Sequence, residues 1–139
     1  MTYLDTNVFI YAVGNDDQKS KICIEIIKKV LKKEIKGETS LLTWDEFIHG
    51  VRKQYGGSVA IEEGKKFLKF PNLLFLEVDK NIISKAQELM EQYNLRPRDA
   101  IHAASALLNG TNEIISDDSD FDKVKELKRI KLEDYEKDG

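Results

Sequence analysis

The chain has 139 residues, 41% of them hydrophobic, one cysteine and a formal net charge of −3. That length suits a single domain, 1–139, large enough to bury a real core. A lone cysteine excludes an internal disulfide or a cysteine-built zinc site, and the negative balance argues against a protein that grips nucleic acid mainly by bulk positive charge.

Nucleic-acid chemistry stays open, because acids gathered in one pocket can be offset by metal ions. No apolar run is long enough to span a bilayer, and the N-terminus lacks a basic stretch followed by a signal-type apolar run. A cytoplasmic protein without a membrane partner is therefore expected.

Tyr3-Leu4 reads as the end of a short buried strand, and the apolar run from Val8 as the start of a helix. Asp5-Thr6-Asn7 lies in the turn between them, where Asp5 or Asn7 either N-caps the helix or serves a site at the strand's carboxyl end. Asp16 and Asp17 open a second helix with Ile22, Ile26, Ile27, Val30, Leu31 and Ile35 at helical spacing, which Gly37 ends. Its other face carries lysines and is read as solvated.

Ser40-Leu41-Leu42 is the second predicted strand. Thr43-Trp44-Asp45-Glu46 then opens a helix with the apolar stripe Trp44, Phe47, Ile48, Val51 and Tyr55. Glu46 falls off that stripe, on a face shared with His49, Gly50 and Lys53. Taken alone, it fits the capping box with Thr43 better than it fits a ligand.

Gly56-Gly57-Ser58 starts a further helix, packing through Phe67 and Leu68, that Pro71-Asn72 terminates. Leu73 to Val78 reads as the third strand. Asp79 N-caps a scaffold helix with Ile82, Ile83, Ala86, Leu89, Met90 and Tyr93 on one side. Pro97 takes the favoured first position of the next helix, with Asp99 in its first turn, where the dipole favours a carboxylate. Alanines and leucines around most of its circumference predict burial. His102, one turn on, is assigned to packing or the surface, since nothing in the sequence pairs it with a nucleophile or a second histidine. Asn109-Gly110 closes this helix.

Glu113 to Ser116 is the fourth strand, followed by Asp117-Asp118-Ser119-Asp120-Phe121-Asp122. The alternating aspartates suggest an EF-hand, but Lys123 and Arg129 stand where that loop needs Gly and Glu. One aspartate is expected to cap a helix near Phe121. Residues 129–132 give an edge strand, and residues 133–139 a polar tail expected to fray.

Alternating strands and helices predict an α/β domain with a central parallel sheet flanked by helices. Each singled-out acid then lies near a strand's carboxyl end or in the helix beside it: Asp5, Glu46, Asp99, and Asp118 with Asp117 or Asp120. Several carboxylates in one cleft raise one another's pKa unless a cation compensates. Mg²⁺ or Mn²⁺ is the natural one, being hard and oxygen-liganded, and such ions support in-line phosphodiester hydrolysis. No Gly-rich phosphate loop, G-x-S-x-G elbow or histidine pair at metal spacing competes.

The four motifs, Tyr3-Leu4-Asp5-Thr6-Asn7, Glu46 in Thr43-Trp44-Asp45-Glu46-Phe47, Arg98-Asp99-Ala100-Ile101-His102-Ala103-Ala104 and Ser116-Asp117-Asp118-Ser119-Asp120-Phe121, resemble those of PIN-domain ribonucleases. The likeness is particularly to the VapC-type toxins of VapBC toxin–antitoxin pairs. Ser116 stands where that family usually has Thr. The resemblance implies a Rossmann-like fold and a catalytic, metal-binding quartet of Asp5, Glu46, Asp99 and Asp118, with Asp120 as an auxiliary metal ligand. It implies that Thr6, Asn7 and Ser116 orient the carboxylates or a metal-bound water.

It further implies Mg²⁺ (or Mn²⁺) as cofactor, RNA as substrate, a homodimer, and a small antitoxin that buries an apolar groove and blocks the metal site. Arg96, Arg98 and Lys53 are candidate RNA phosphate contacts, with ordinary surface charge as their other reading. A housekeeping RNA-processing nuclease and a non-catalytic RNA-binding or assembly module are the alternatives. A haloacid-dehalogenase-type phosphohydrolase would need Asp where Asn7 stands, and a receiver domain lacks its acidic set around strand three.

Overall fold

The computed structural model describes residues 1–14 and 17–138, so Asn15, Asp16 and Gly139 lie outside the described residues. In chain order the elements are β1 (Thr2–Leu4), α1 (Thr6–Val13), α2 (Gln18–Leu31), β2 (Gly37–Ser40), α3 (Leu42–Tyr55), α4 (Gly57–Leu68) and β3 (Leu73–Leu76). Then come α5 (Lys80–Tyr93), α6 (Pro97–Leu108), β4 (Glu113–Ile115), a 3-10 turn (Ser119–Lys123), β5 (Lys128–Ile130) and α7 (Leu132–Asp138).

The five strands form one sheet in the order β3-β2-β1-β4-β5, and every pairing is parallel. Successive residues of β1 serve opposite faces, as the pleat requires. Leu4 enters a core built with Val8, Phe9, Ile26, Phe47, Val51 and Phe67. Tyr3 enters a second core with Leu89, Ala103, Ile114 and Phe121 under α5 and α6. The order reverses beside β1, whose neighbours β2 and β4 are reached by connections running in opposite directions. This is the topological switch point at which open α/β sheets form their crevice.

Local signals hold where a side chain answers its own backbone. Asp17 accepts from Ser20 N and starts α2, Asp79 accepts from Ile82 N, and Pro97 takes the first position of α6. Gly110 lies at φ +76° just past that helix.

Four expectations need correction. First, α2 stops at Leu31, and Lys33 supplies the left-handed turn at φ 63°. Gly37 instead begins β2, where a Cβ would lie 2.9 Å from Leu4 Cδ1. Second, β2 is this polar run and not Ser40-Leu41-Leu42. Glu38, Thr39 and Ser40 are all fully buried, because Thr39 Oγ1 donates to Leu4 O at 2.8 Å and Asn109 Nδ2 donates to Glu38 Oε2.

Third, the polar tail is α7, anchored by buried Leu132 and by Tyr135 packed on the first core. Fourth, Leu68 of α4 faces solvent, while Phe67 packs inward with Ala60 and Gly64.

Candidate active site

The carboxyl ends of β1 and β4 meet α1, α3 and α6 at an open cleft of about 330 Å³. Asp5, Thr6, Asn7, Glu46, Arg98, Asp99 and Asp118 line it, with His49 and Gly50. Four widely separated acids thus converge on one rim.

Asp5 N-caps α1, its Oδ1 accepting from Thr6 N at 2.8 Å. The cap and the site are one residue, since Oδ2 accepts from Ser116 Oγ at 2.6 Å and Asn7 Nδ2 at 3.1 Å. Burial pushes the Asp5 carboxyl up from its usual range, against the opposing pull of His102 and these donors. Ser116, fully buried, also accepts from Asp118 N at 2.9 Å, so one hydroxyl ties the ends of β1 and β4 together.

Glu46 is no capping partner. The helix begins two residues earlier than the capping box requires, and Ser40 Oγ meets its first amide, that of Leu42, at 3.0 Å. Thr43 is buried inside α3, its hydroxyl 2.7 Å from that of Thr39. Glu46 instead accepts through Oε1 from Thr6 Oγ1 at 2.9 Å and is hydrogen-bonded to His102 Nε2. Close approach of α1 to α3 permits this, for a Cβ on Gly50 would lie 2.7 Å from Ile10 Cδ1. Burial drives the Glu46 carboxyl up, but His102, Thr6 and Arg98 outweigh it and hold it below its usual value.

Asp99, Asp118 and Asp120 bring carboxylate oxygens within 4.8 Å of one another. Burial, then the charges of Asp118 and Asp5, push Asp99 up to about 6. Asp118 caps the 3-10 turn, accepting from Asp120 N at 2.9 Å. Exposed Lys123 lies 3.5 Å from Asp120, and the other two acids of that loop are answered more closely. Asp117 is held by Lys19 Nζ at 2.8 Å and Tyr11 OH at 2.9 Å, and Asp122 by Arg129.

Hard oxygen donors that destabilise one another's charge are what a divalent cation relieves, so the residues fit such an ion. Arg98 lines the cleft; Arg96 and Lys53 are exposed and outside its lining.

His102 and Tyr3 were not anticipated here. His102 is 1% exposed, with Nε2 on Glu46, 3.8 Å from Asp5 Oδ1, and Nδ1 2.6 Å from Tyr3 OH. Burial disfavours its cation, but Glu46, Asp5 and Asp99 outweigh that and raise its pKa. The signal available was spacing: His102 follows Asp99 by three residues, hence on the same helix face.

A family model described as the PIN domain matches residues 2–127. Among solved structures, a toxin–antitoxin complex from Klebsiella pneumoniae is 20% identical, covering 95% of this chain and 98% of its own, at a TM-score of 0.68. VapC20 of Mycobacterium tuberculosis, described as a sarcin-ricin loop cleaving toxin, is 14% identical, with 90% and 95% covered and a TM-score of 0.74. VapBC2 of Rickettsia felis, bound to a DNA fragment from its promoter, is 19% identical, with 94% and 98% covered and a TM-score of 0.71. No curated protein sequence matches.

Proposed function

Since this chain belongs to the PIN domain family, we propose that it is a Mg²⁺- or Mn²⁺-dependent endoribonuclease, the toxin of a type II toxin–antitoxin pair. The observation that carries the reading is the meeting of Asp99, Asp118 and Asp120 within one ion's reach, beside Asp5 and Glu46. Asp5, Glu46, Asp99 and Asp118 would hold the ion as a quartet, with Asp120 as an auxiliary ligand. The chemistry such an ion supplies is a water activated as nucleophile and a stabilised leaving 3′ oxygen.

The chain's own residues do the rest. Ser116 and Asn7 fix the rotamer of Asp5, which keeps one carboxylate geometry ready without reorganisation. Arg98, on the cleft wall, offers a guanidinium fork to a phosphate of the substrate. Lys19 and Arg129 draw Asp117 and Asp122 aside, so that Asp118 and Asp120 are the loop acids left for the site.

The solved relatives described as toxin–antitoxin complexes support an antitoxin partner. An apolar groove of about 350 Å³, lined by Phe9, Val13, Ile27, Phe47 and Phe67, is a fitting seat for its apolar helix. Exposed Leu74, Ile83 and Leu108 are compatible with a homodimer. Among the described residues no helix is long and apolar enough to cross a membrane, which agrees with action on cytoplasmic RNA.

The test is incubation of the purified protein with total RNA and Mg²⁺ or Mn²⁺, mapping the cleavage sites. Cleavage that EDTA and Asp5→Asn both abolish, with the circular dichroism spectrum of the variant unchanged, is expected. An Asp5→Asn protein that cuts at the parent rate would sink the assignment.

A further inference from the structure

We propose that Tyr3 and His102 form a positioning relay that aims Glu46 into the cleft, a role for two buried residues on the sheet's far side. The inference rests on the metal-nuclease reading and adds to it which groups set a ligand's orientation.

The chain of contacts runs without a break from main chain to cleft. Ser40 N–H, at the carboxyl end of β2, donates to Tyr3 OH at 3.1 Å. Tyr3 OH lies 2.6 Å from His102 Nδ1 on the other side, and the two rings meet edge to face with centroids 5.7 Å apart. His102 Nε2 reaches Glu46 Oε1. A carboxylate can only accept, so Nε2 must carry hydrogen whichever state Nδ1 adopts. The tyrosine hydroxyl serves that nitrogen in either state, as donor or acceptor.

Tyr3, His102 and Ser40 are all buried and cannot swing to another partner. Thr6 Oγ1 lands on the same Oε1. Both donors thus fall on one oxygen, leaving Oε2 as the lone-pair donor for a ligand arriving through the cleft. Groups behind a metal ligand fix its rotamer and basicity, and losing one typically costs about 10–100-fold in metal affinity.

The arrangement also accounts for a buried histidine in an otherwise apolar, alanine-rich helix. Packing alone would be served by leucine, without two ring nitrogens to satisfy. His102 instead joins two residues 56 and 99 positions away in sequence, one in the cleft and one in the central strand.

The experiment measures Mn²⁺ binding to the full chain by loss of the free-ion paramagnetic resonance signal, alongside RNA cleavage. Tyr3→Phe keeps the ring and should weaken Mn²⁺ about tenfold; His102→Ala should weaken it more, and His102→Gln, whose amide can still donate, should recover part of the loss. The decisive arm repeats His102→Ala on a Glu46→Ala background, where a residue acting through Glu46 has no further effect.

Mn²⁺ affinity at the parent value in folded Tyr3→Phe and His102→Ala, or an equal loss with and without Glu46, would overturn the relay alone. Should His102→Ala fail to fold, Tyr3→Phe and His102→Gln decide by the same readout. A parent protein that binds no Mn²⁺ overturns the relay together with the nuclease reading.

Discussion

The two sides of the cleft treat negative charge in opposite ways. On one side Asp5 is buried and Glu46 half-buried, and both are crowded with donors: Thr6 and His102 on Glu46, Thr6 N, Asn7 and Ser116 on Asp5. On the other side Asp99, Asp118 and Asp120 are half-buried and face one another, with the exposed Lys123 Nζ 3.5 Å from Asp120. Hydrogen bonds to a charged form favour it, and neighbouring like charges oppose it. Burial raises all three carboxyls, and it prevails at Asp5. At Glu46 the donors outweigh it, and the group sits below its usual pKa. At Asp99 the charges of Asp118 and Asp5 add to it and push the group up to about 6. The first side meets its donors within the protein, and the second keeps carboxylates whose mutual repulsion a cation would relieve. A site built this way positions ligands rigidly on one flank and keeps its electrostatic tension on the other.

The largest expected effect breaks the second side. Asp118→Asn removes a ligand and a repulsive charge together. Metal-dependent cleavage should fall by at least about a hundredfold, beyond what losing an outlying partner costs. The same variant, stripped of metal, should melt about 2–5 °C higher than the parent, because relief of about one kcal/mol has that size in a domain of this length. Glu46→Gln on the first side should give no such gain, since its amide oxygen keeps both donors but loses the charge that strengthens their hydrogen bonds. Calorimetry in EDTA measures both. An Asp118→Asn protein that melts lower would mean that the three acids do not oppose one another.

Titration sharpens the same contrast at intermediate size. Asp99 titrates near 6 folded and near 3.9 unfolded, so between those values the folded chain binds more protons. Stability of the metal-free protein therefore falls as pH rises from about 4 to 6. A cation competes with that proton, and its apparent affinity should be about tenfold weaker at pH 5 than at pH 7. Melting with and without Mn²⁺ across this range reads both slopes. A shift on adding Mn²⁺ that is the same at pH 5 and pH 7 would remove Asp99 from the ion's ligands.

What the sequence disclosed about this cleft divides along the same line. The acids were legible because each follows a strand or opens a helix, a local matter of caps and periodicity; Asp5, Asp17, Asp79 and Pro97 all stand where their types direct. The groups answering the acids were not. His102 looks like one polar residue in a buried helix until α3 and β1 are folded against it.

β2 was misread for a related reason. A buried central strand is expected to be apolar, whereas Glu38 and Thr39 are tolerated by partners 71 and 35 positions away. The capping box failed because Ser40, two residues before the helix proper, had already taken the helix start. α7 escaped notice since, among the described side chains of its polar run, Leu132 and Tyr135 are the ones on the core.

The smallest expected effect concerns the acid that neither side uses. Asp117 adjoins Asp118 in the chain, yet Lys19 Nζ and Tyr11 OH hold it away from the cluster. Lys19 is largely exposed and its carboxylate partner only partly covered, so solvent and salt screen the pair. Lys19→Met should therefore lower the melting temperature by no more than about 2–4 °C, the scale of one exposed ion pair. Cleavage should stay within about threefold of the parent, because Tyr11 still holds the carboxylate. Adding Tyr11→Phe releases Asp117 entirely. The cluster would then gain a competing acid, and the metal-free protein should lose stability mainly above pH 6, where Asp99 is ionised as well. A double variant whose melting profile keeps the parent's pH dependence would show that Asp117 needs no restraint, and that the loop geometry alone selects Asp118 and Asp120.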